Sequence, residues 1–194
     1  AITLILERLP ATLELTIFAL LIAIVVGIPL GVVAGLNPNN FISKSILAMS
    51  IFLFSLPTFW VGLILIMIFA VSYNLFPSTG RGDTVQIFGY YFSFLTLDGL
   101  KHLILPSINL ALFPLALVIR LTFAGIQETI PLDFIKFAKA KGLSRTRIIV
   151  YHLLKYILIP IVTVIGLQFS VLIAFAVITE SIFAWPGMGR LIIE

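Results

Sequence analysis

Apolar residues run through this 194-residue chain in four long blocks separated by polar stretches, and the lengths of the blocks predict the elements. Residues 12–36 carry Glu14 as their only charge and, at about 1.5 Å per residue, are long enough to cross a hydrocarbon layer of roughly 30 Å. Residues 45–72, 102–127 and 157–183 are three further spans of the same kind. The longest polar interruption, residues 128–160, holds six of the twelve Lys and Arg residues. The pattern predicts an all-α integral membrane protein, a polytopic helical bundle with one basic loop.

Within the first span Gly27, Gly31 and Gly35 form a small-residue stripe on which another helix packs closely, and Pro29 is a candidate kink. Asn37-Pro38-Asn39-Asn40 is a turn, with Lys44 as an interfacial anchor. The second span is interrupted at Ser55-Leu56-Pro57. A proline at membrane depth frees a carbonyl, which is tolerated inside protein or beside a water-filled cavity, so the break is either a pore-facing feature or a packing kink. Residues 73–100, with few charges and several aromatics, read as an interfacial loop. Arg120, near the end of the third span, lies about two turns from Glu128 and either snorkels or pairs. Polar groups in the spans usually face a bundle interior or an aqueous path, which makes Ser55, Asn109, Gln168 and Glu180, with Pro57 and Trp60 at the helix break, the candidates for lining a pathway.

In the basic loop, Asp133 is placed to cap a short helix running to Lys141, because its carboxylate suits the orphan N–H groups and positive dipole of a first turn. Gly142 ends that helix in a left-handed position. Ser144 then caps a second helix that passes through Arg145, Arg147 and His152 without interruption to Pro160. Phe134, Phe137 and Ala138 form a small apolar face of the first helix, with Lys136, Lys139 and Lys141 around it. Such a helix either docks on another protein or is a basic juxtamembrane loop held by anionic lipid.

Composition narrows the function. With 61% hydrophobic and 10% charged residues and a mean hydropathy of +1.22, most of the surface must face lipid or a like partner. The absence of Cys excludes disulfides and thiolate chemistry, and two separated His do not make a conventional zinc site. No phosphate-binding G-x-x-x-x-G-K-[ST], H-E-x-x-H or G-x-S-x-G occurs, so neither a catalytic nor a metal site is expected. The net charge of +4 is concentrated in one loop and reads as topology and partner contact, not nucleic-acid binding. The excess of Lys and Arg puts residues 128–156 on the cytoplasmic side, and alternation puts 37–44 inside and 73–101 and 185–194 outside.

The run Ala138-Lys139-Ala140-Lys141-Gly142-Leu143, followed by Arg145, Arg147, His152 and Pro160, resembles the cytoplasmic loop of permease subunits of binding-protein-dependent ABC importers, in the dipeptide/oligopeptide/nickel branch. Arg120, Glu128 and Asp133, the VIGLQ segment at 164–168, the TESIFAWPGMG segment at 179–189 and the PSTGR segment in the 73–100 loop match further parts of that pattern. The chain departs from the wider superfamily at Lys136-Phe137-Ala138 and Leu154-Lys155, and has Phe123 where a second basic residue is expected. The resemblance implies a type I importer permease fold whose cytoplasmic coupling helix docks in a cleft of an ATPase, through Asp133, Phe134, Phe137, Ala138, Lys139, Ala140, Lys141, Gly142 and Leu143. It implies a homologous second permease subunit, two cytoplasmic ATPase subunits that bind ATP and Mg and supply all catalysis, and an extracytoplasmic substrate-binding protein. No cofactor is expected on this chain itself. The implied location is the cytoplasmic (inner) membrane of a prokaryote, multi-pass, with peptide or a solute such as nickel as cargo. The chain begins at Ala1 without Met, and the resemblance implies a fragment lacking a first and a last spanning helix. An ion-coupled secondary transporter, which would show paired broken helices in two related halves, and a non-transporting assembly protein are the alternatives.

Overall fold

The computed structural model describes residues 2–193. Three helical stretches are long and apolar enough to cross a membrane: Ile5–Leu36 in α1 (Ile2–Leu36), the whole of α4 (Leu97–Thr129), and Arg145–Ile182. A fourth candidate is the broken pair α2 (Phe41–Ser55) and α3 (Thr58–Leu65), the latter continuing as a π-helical stretch over Ile66–Ser72. The break falls where Pro57 is expected to put it. Pro57 is extended (φ −63°, ψ 125°), and its carbonyl accepts from the N–H groups of Trp60 and Val61 at 3.1 and 3.2 Å to start α3. Helices begin earlier than the apolar blocks, α1 at Ile2 and α4 at Leu97.

The 73–100 region, expected as an interfacial loop, contains a short hairpin. Two short antiparallel strands, β1 (Val85–Ile87) and β2 (Tyr90–Phe92), pair Ile87 with Tyr90 across a two-residue turn. Phe88 (φ 50°) and Gly89 (φ 85°) both have positive φ, the signature of the primed turns that match strand twist.

The chain divides into two compact units. One comprises residues through Ile22, Ser55–Leu112 and residues from Gln168 on. Its apolar cluster joins Ala70, Leu105 and Phe183, with Phe69, Phe76 and Ile182 packed around them. The other comprises Ala23–Phe54 and Phe113–Leu167. There the glycine stripe is a packing surface: a Cβ on Gly27 would come 2.9 Å from Val118, one on Gly31 would collide with Thr122, and one on Gly35 would come 2.8 Å from Ile126. Glycine at every fourth position thus lets α1 lie directly against the Val118, Thr122, Ile126 row of α4.

Candidate functional site

Helix α5 (Asp133–Ala140) follows Leu132, whose extended backbone (φ −70°, ψ 148°) occupies the cap position without a side-chain hydrogen bond. Asp133 is therefore the first helical residue, not the cap expected from the sequence. Its carboxylate accepts from Lys136 Nζ at 2.9 Å on the open surface while still favouring the positive end of the dipole. The helix stops at Ala140. Gly142 N donates to Lys139 O at 2.9 Å and Leu143 N to Ala138 O at 3.3 Å, the paired bonds of a Schellman motif, with Gly142 at φ +73°.

The two faces of α5 differ from expectation. Ile135 and Ala138, one turn apart, are buried in a cluster with Ile126, Ile148, Leu153, Ile157 and Ile161. Ala138, expected to meet a partner, faces this chain's own core, and Ile135 carries the contact with it. Phe134 and Phe137 stay exposed: Phe134 lies 5.6 Å from the Tyr156 ring, and Lys141 Nζ sits 4.5 Å above the Phe137 ring. Beyond Gly142, Ser144 is the cap, its Oγ accepting from Arg147 N at 3.4 Å. The expected uninterrupted helix is present as Arg145–Ile182, but its character changes along its length: α6 (Arg145–Arg147) passes into a π-helical stretch over Ile148–Leu154 and then into α7 (Lys155–Ile182) with Pro160 inside it. A π turn admits an extra residue and so shifts which side chains share a face.

A second constellation, in the other unit, was not foreseen from the sequence. Glu14 on α1 is buried: its Oε1 accepts from Ser93 N, Ser93 Oγ and Phe94 N at 2.9, 2.7 and 2.7 Å, and its Oε2 from the Arg81 guanidinium at 2.6 Å. Arg81 also donates to Tyr91 O at 2.6 Å and lies 5.7 Å from the centre of the Trp185 ring. Glu180 is buried too. Its Oε1 accepts from Thr12 Oγ1 at 2.6 Å, and its Oε2 from Gly189 N and Arg190 N at 2.7 and 3.2 Å, at the start of α8 (Met188–Ile193). Gly187 lies so close to the Glu180 carboxylate that a Cβ would overlap it. Glu180, expected to line a pathway, is thus the peg on which the Trp185–Gly189 turn is built. The signal available in the sequence was Glu14 itself, a lone carboxylate in an apolar span.

The other pathway candidates have different surroundings. Ser55, Pro57 and Trp60 lie at the exposed α2–α3 break. Asn109 is buried beside Gly62, donating to Thr179 Oγ1 at 3.2 Å, and its Oδ1 has no protein partner. Gln168 is half-buried with its Oε1 likewise unpartnered. Arg120 and Glu128 are both exposed and form no ion pair among the described residues. No group of three or more potential metal ligands occurs among the described residues.

Residues 27–194 match the sequence profile of the family described as binding-protein-dependent transport system inner membrane component. The dipeptide transport system permease protein DppB of Escherichia coli (strain K12) is 38% identical over 202 residues, covering 96% of this chain and 60% of that protein. The di/tripeptide transport system permease protein DppB of Pseudomonas aeruginosa (strain UCBPP-PA14) is 40% identical over 197 residues, covering 95% of this chain and 59% of that protein. The chain thus spans about three fifths of the length of these relatives. A solved inward-facing structure of the MetNI methionine ABC transporter shares the fold, with a TM-score of 0.72 at 18% identity over 98% of this chain and 79% of that one.

Proposed function

The chain belongs to the family of inner membrane components of binding-protein-dependent transport systems, and we propose that it is the translocation subunit of an ATP-driven importer of dipeptides or oligopeptides. The observation that carries the peptide class is the likeness to dipeptide permeases along nearly the whole chain. In this reading the chain is a multi-pass, non-catalytic subunit. It pairs with a second, homologous permease, receives cargo from an extracytoplasmic binding protein, and is driven by two cytoplasmic ATPase subunits that hold ATP and Mg.

The coupling element is Asp133–Leu143. The outward Phe134, Phe137 and Lys141 meet the ATPase, while Ile135 and Ala138 tie the helix to the rest of its unit, so that movement of the helix is transmitted. A helix anchored by buried apolar contacts on one face and free on the other is a lever, whereas a basic loop held only by lipid has no need of that core. The polar groups at Ser55, Asn109 and Gln168, with Pro57 and Trp60, are the proposed pathway residues; Glu180 acts one step removed, by shaping the turn near which cargo arrives.

The test is uptake of a labelled dipeptide into proteoliposomes holding the full permease pair, its ATPases and loaded binding protein. ATP-dependent accumulation is expected, with no ATP hydrolysis by the purified chain alone. Accumulation that follows an ion gradient without ATP would replace this reading with a secondary transporter.

A further inference from the structure

Between β2 and the early turns of α1 the structure contains a cleft of about 560 Å³, within the range of roughly 300–1,000 Å³ usual for small-ligand sites. Leu6, Leu13 and Ile17 are on its α1 wall, and Tyr90, Phe92 and Phe94 on the other. Glu14 also lines it, but its carboxylate is already engaged by Ser93, Phe94 and Arg81, so the cleft offers no free charge. The register of the hairpin extends this apolar surface. Ile87 pairs with Tyr90 and Val85 with Phe92, which puts all four on one face, while Gln86 and Tyr91 share the other. Phe88, at the turn, is 97% exposed, and no charged residue occurs from Thr84 to Leu97. The root of the hairpin is fixed, because Arg81 donates to Tyr91 O and Glu14 accepts from Ser93 and Phe94. An apolar face and an aromatic tip are thus presented from a tied base.

We propose that this cleft seats an acyl chain of a phospholipid from the adjoining leaflet, with Phe88 and the Val85, Ile87, Tyr90 and Phe92 face of the hairpin lying in the membrane interface beside it. Position selects lipid over a protein partner. The α1 wall belongs to the stretch Ile5–Leu36 that is long and apolar enough to cross a membrane, and its exposed stripe runs on from Leu6 and Ile17 to Leu21. The cleft is therefore continuous with a lipid-facing surface. A soluble partner docks through an apolar centre with a polar rim, and the charge-free segment from Thr84 to Leu97 supplies little of one. Backbone chemistry sets the depth. The outer edges of a two-stranded hairpin carry unpaired N–H and C=O groups that hydrocarbon does not satisfy, so the hairpin lies at headgroup level, where tyrosines are favoured. Only the apolar side chains and the cleft beneath them meet acyl chains. This inference depends on α1 spanning the membrane and not on the cargo, so it stands or falls separately from the peptide-importer reading.

The test is nitroxide accessibility in the full-length subunit, assembled with its partner subunits in nanodiscs of phosphatidylethanolamine and phosphatidylglycerol. These 194 residues contain no Cys, so labels are placed one at a time at Ile17→Cys, Gln86→Cys, Phe88→Cys and Tyr90→Cys, all exposed positions, with any cysteine elsewhere in the assembly replaced. Oxygen concentrates in hydrocarbon and nickel ethylenediaminediacetate stays in water, so the two collision rates distinguish lipid, water and protein surroundings. Labels at 17, 88 and 90 are expected to collide with oxygen and to be shielded from nickel, and the label at 86 to show the reverse. Adding the extracytoplasmic binding protein should leave this pattern unchanged. Shielding of 17 and 90 from both reagents would mean that protein fills the cleft, and would overturn the proposal. So would nickel reaching 88 and 90, which would assign the hairpin to water or to a soluble partner. A label at 86 indistinguishable from that at 90 would show that the apolar face does not place the hairpin, and would overturn it equally. Failure of dipeptide uptake would leave the accessibility pattern as it is, which keeps the two readings separable.

Discussion

The Glu14–Glu180 constellation and the 133–157 segment use charge in opposite ways. In the first, both carboxylates are enclosed and meet several donors each, Arg81 and Ser93 among them for Glu14. In the second, Lys136, Lys139, Lys141, Arg145 and Arg147 are all exposed, and the buried contacts are aliphatic: Ile135, Ala138, Ile148, Leu153 and Ile157. A buried, fully bonded charge fixes geometry, because moving it leaves groups unpaired in a low-dielectric surrounding; an exposed one does little for the fold and is available to partners. One region is held shut by charge, and the other holds itself by apolar packing and offers its charge outward.

Removing a buried charge should break this comparison most severely. Glu14→Gln keeps the shape and can keep the bonds from Ser93 and Phe94, but it puts an amide NH₂ or an uncharged oxygen against the Arg81 guanidinium. Leaving that cation uncompensated should destabilise the protein by about 3–5 kcal/mol, read as a fall in thermal unfolding temperature of the detergent-solubilised subunit. The double variant Glu14→Gln/Arg81→Met should be closer to wild type than Glu14→Gln alone, because the uncompensated cation is then removed while the amide oxygen still accepts from Ser93 and Phe94. A double variant as unstable as the sum of the two singles would show that the pair itself contributes little.

The same contrast explains what the sequence made legible. The basic loop could be read because its instructions are local: Gly142 as a stop, Ser144 as a cap and apolar positions at helical spacing lie within a few residues of one another. Even there the inner and outer faces of α5 were partly exchanged, since Phe134, Phe137 and Ala138 are equally apolar in one dimension and only the partners of Ile135 decide which side is covered. The Glu14 site joins residues 67 and 79 positions apart, and Thr12 meets Glu180 across 168 positions. No periodicity records such pairings. The hairpin escaped notice for a related reason: strands of three residues are too short to establish an alternation.

Two substitutions in α5 and its stop sharpen the comparison from the other side. Ala138→Glu puts a carboxylate among Ile135, Ile148 and Leu153 with no donor provided, and should cost about 3 kcal/mol or more, detected as reduced folded yield before any effect on partners is measured. Gly142→Val should cost about 1–3 kcal/mol, because φ is +73° while a Cβ there has nothing within 4 Å, so the strain is conformational and not steric contact. Gly142→Asn, which tolerates the left-handed region, should recover most of the loss. Equal stability of the Val and Asn variants would mean that the Schellman turn is not maintained in the membrane.

The smallest effect on stability should come from Phe137→Ala, and it separates the two uses of surface most cleanly. Phe137 is 61% exposed, and within this chain its ring is covered mainly by the flexible Lys141 side chain, so truncation should change stability by less than about 0.5 kcal/mol. An exposed aromatic on the open face of an otherwise anchored helix is, however, the kind of residue that dominates a docking contact once a partner excludes water from it, where truncation commonly costs about 2 kcal/mol or more. The expected result is an unfolding temperature like that of wild type, together with weakened co-purification of the ATPase subunits and loss of ATP-dependent uptake. Lys136→Ala, which removes only an exposed pair with Asp133, should leave both measurements nearly unchanged. If instead Phe137→Ala assembles and transports normally while Lys136→Ala does not, the open face of α5 works through its charge, and the coupling contact lies elsewhere on the chain.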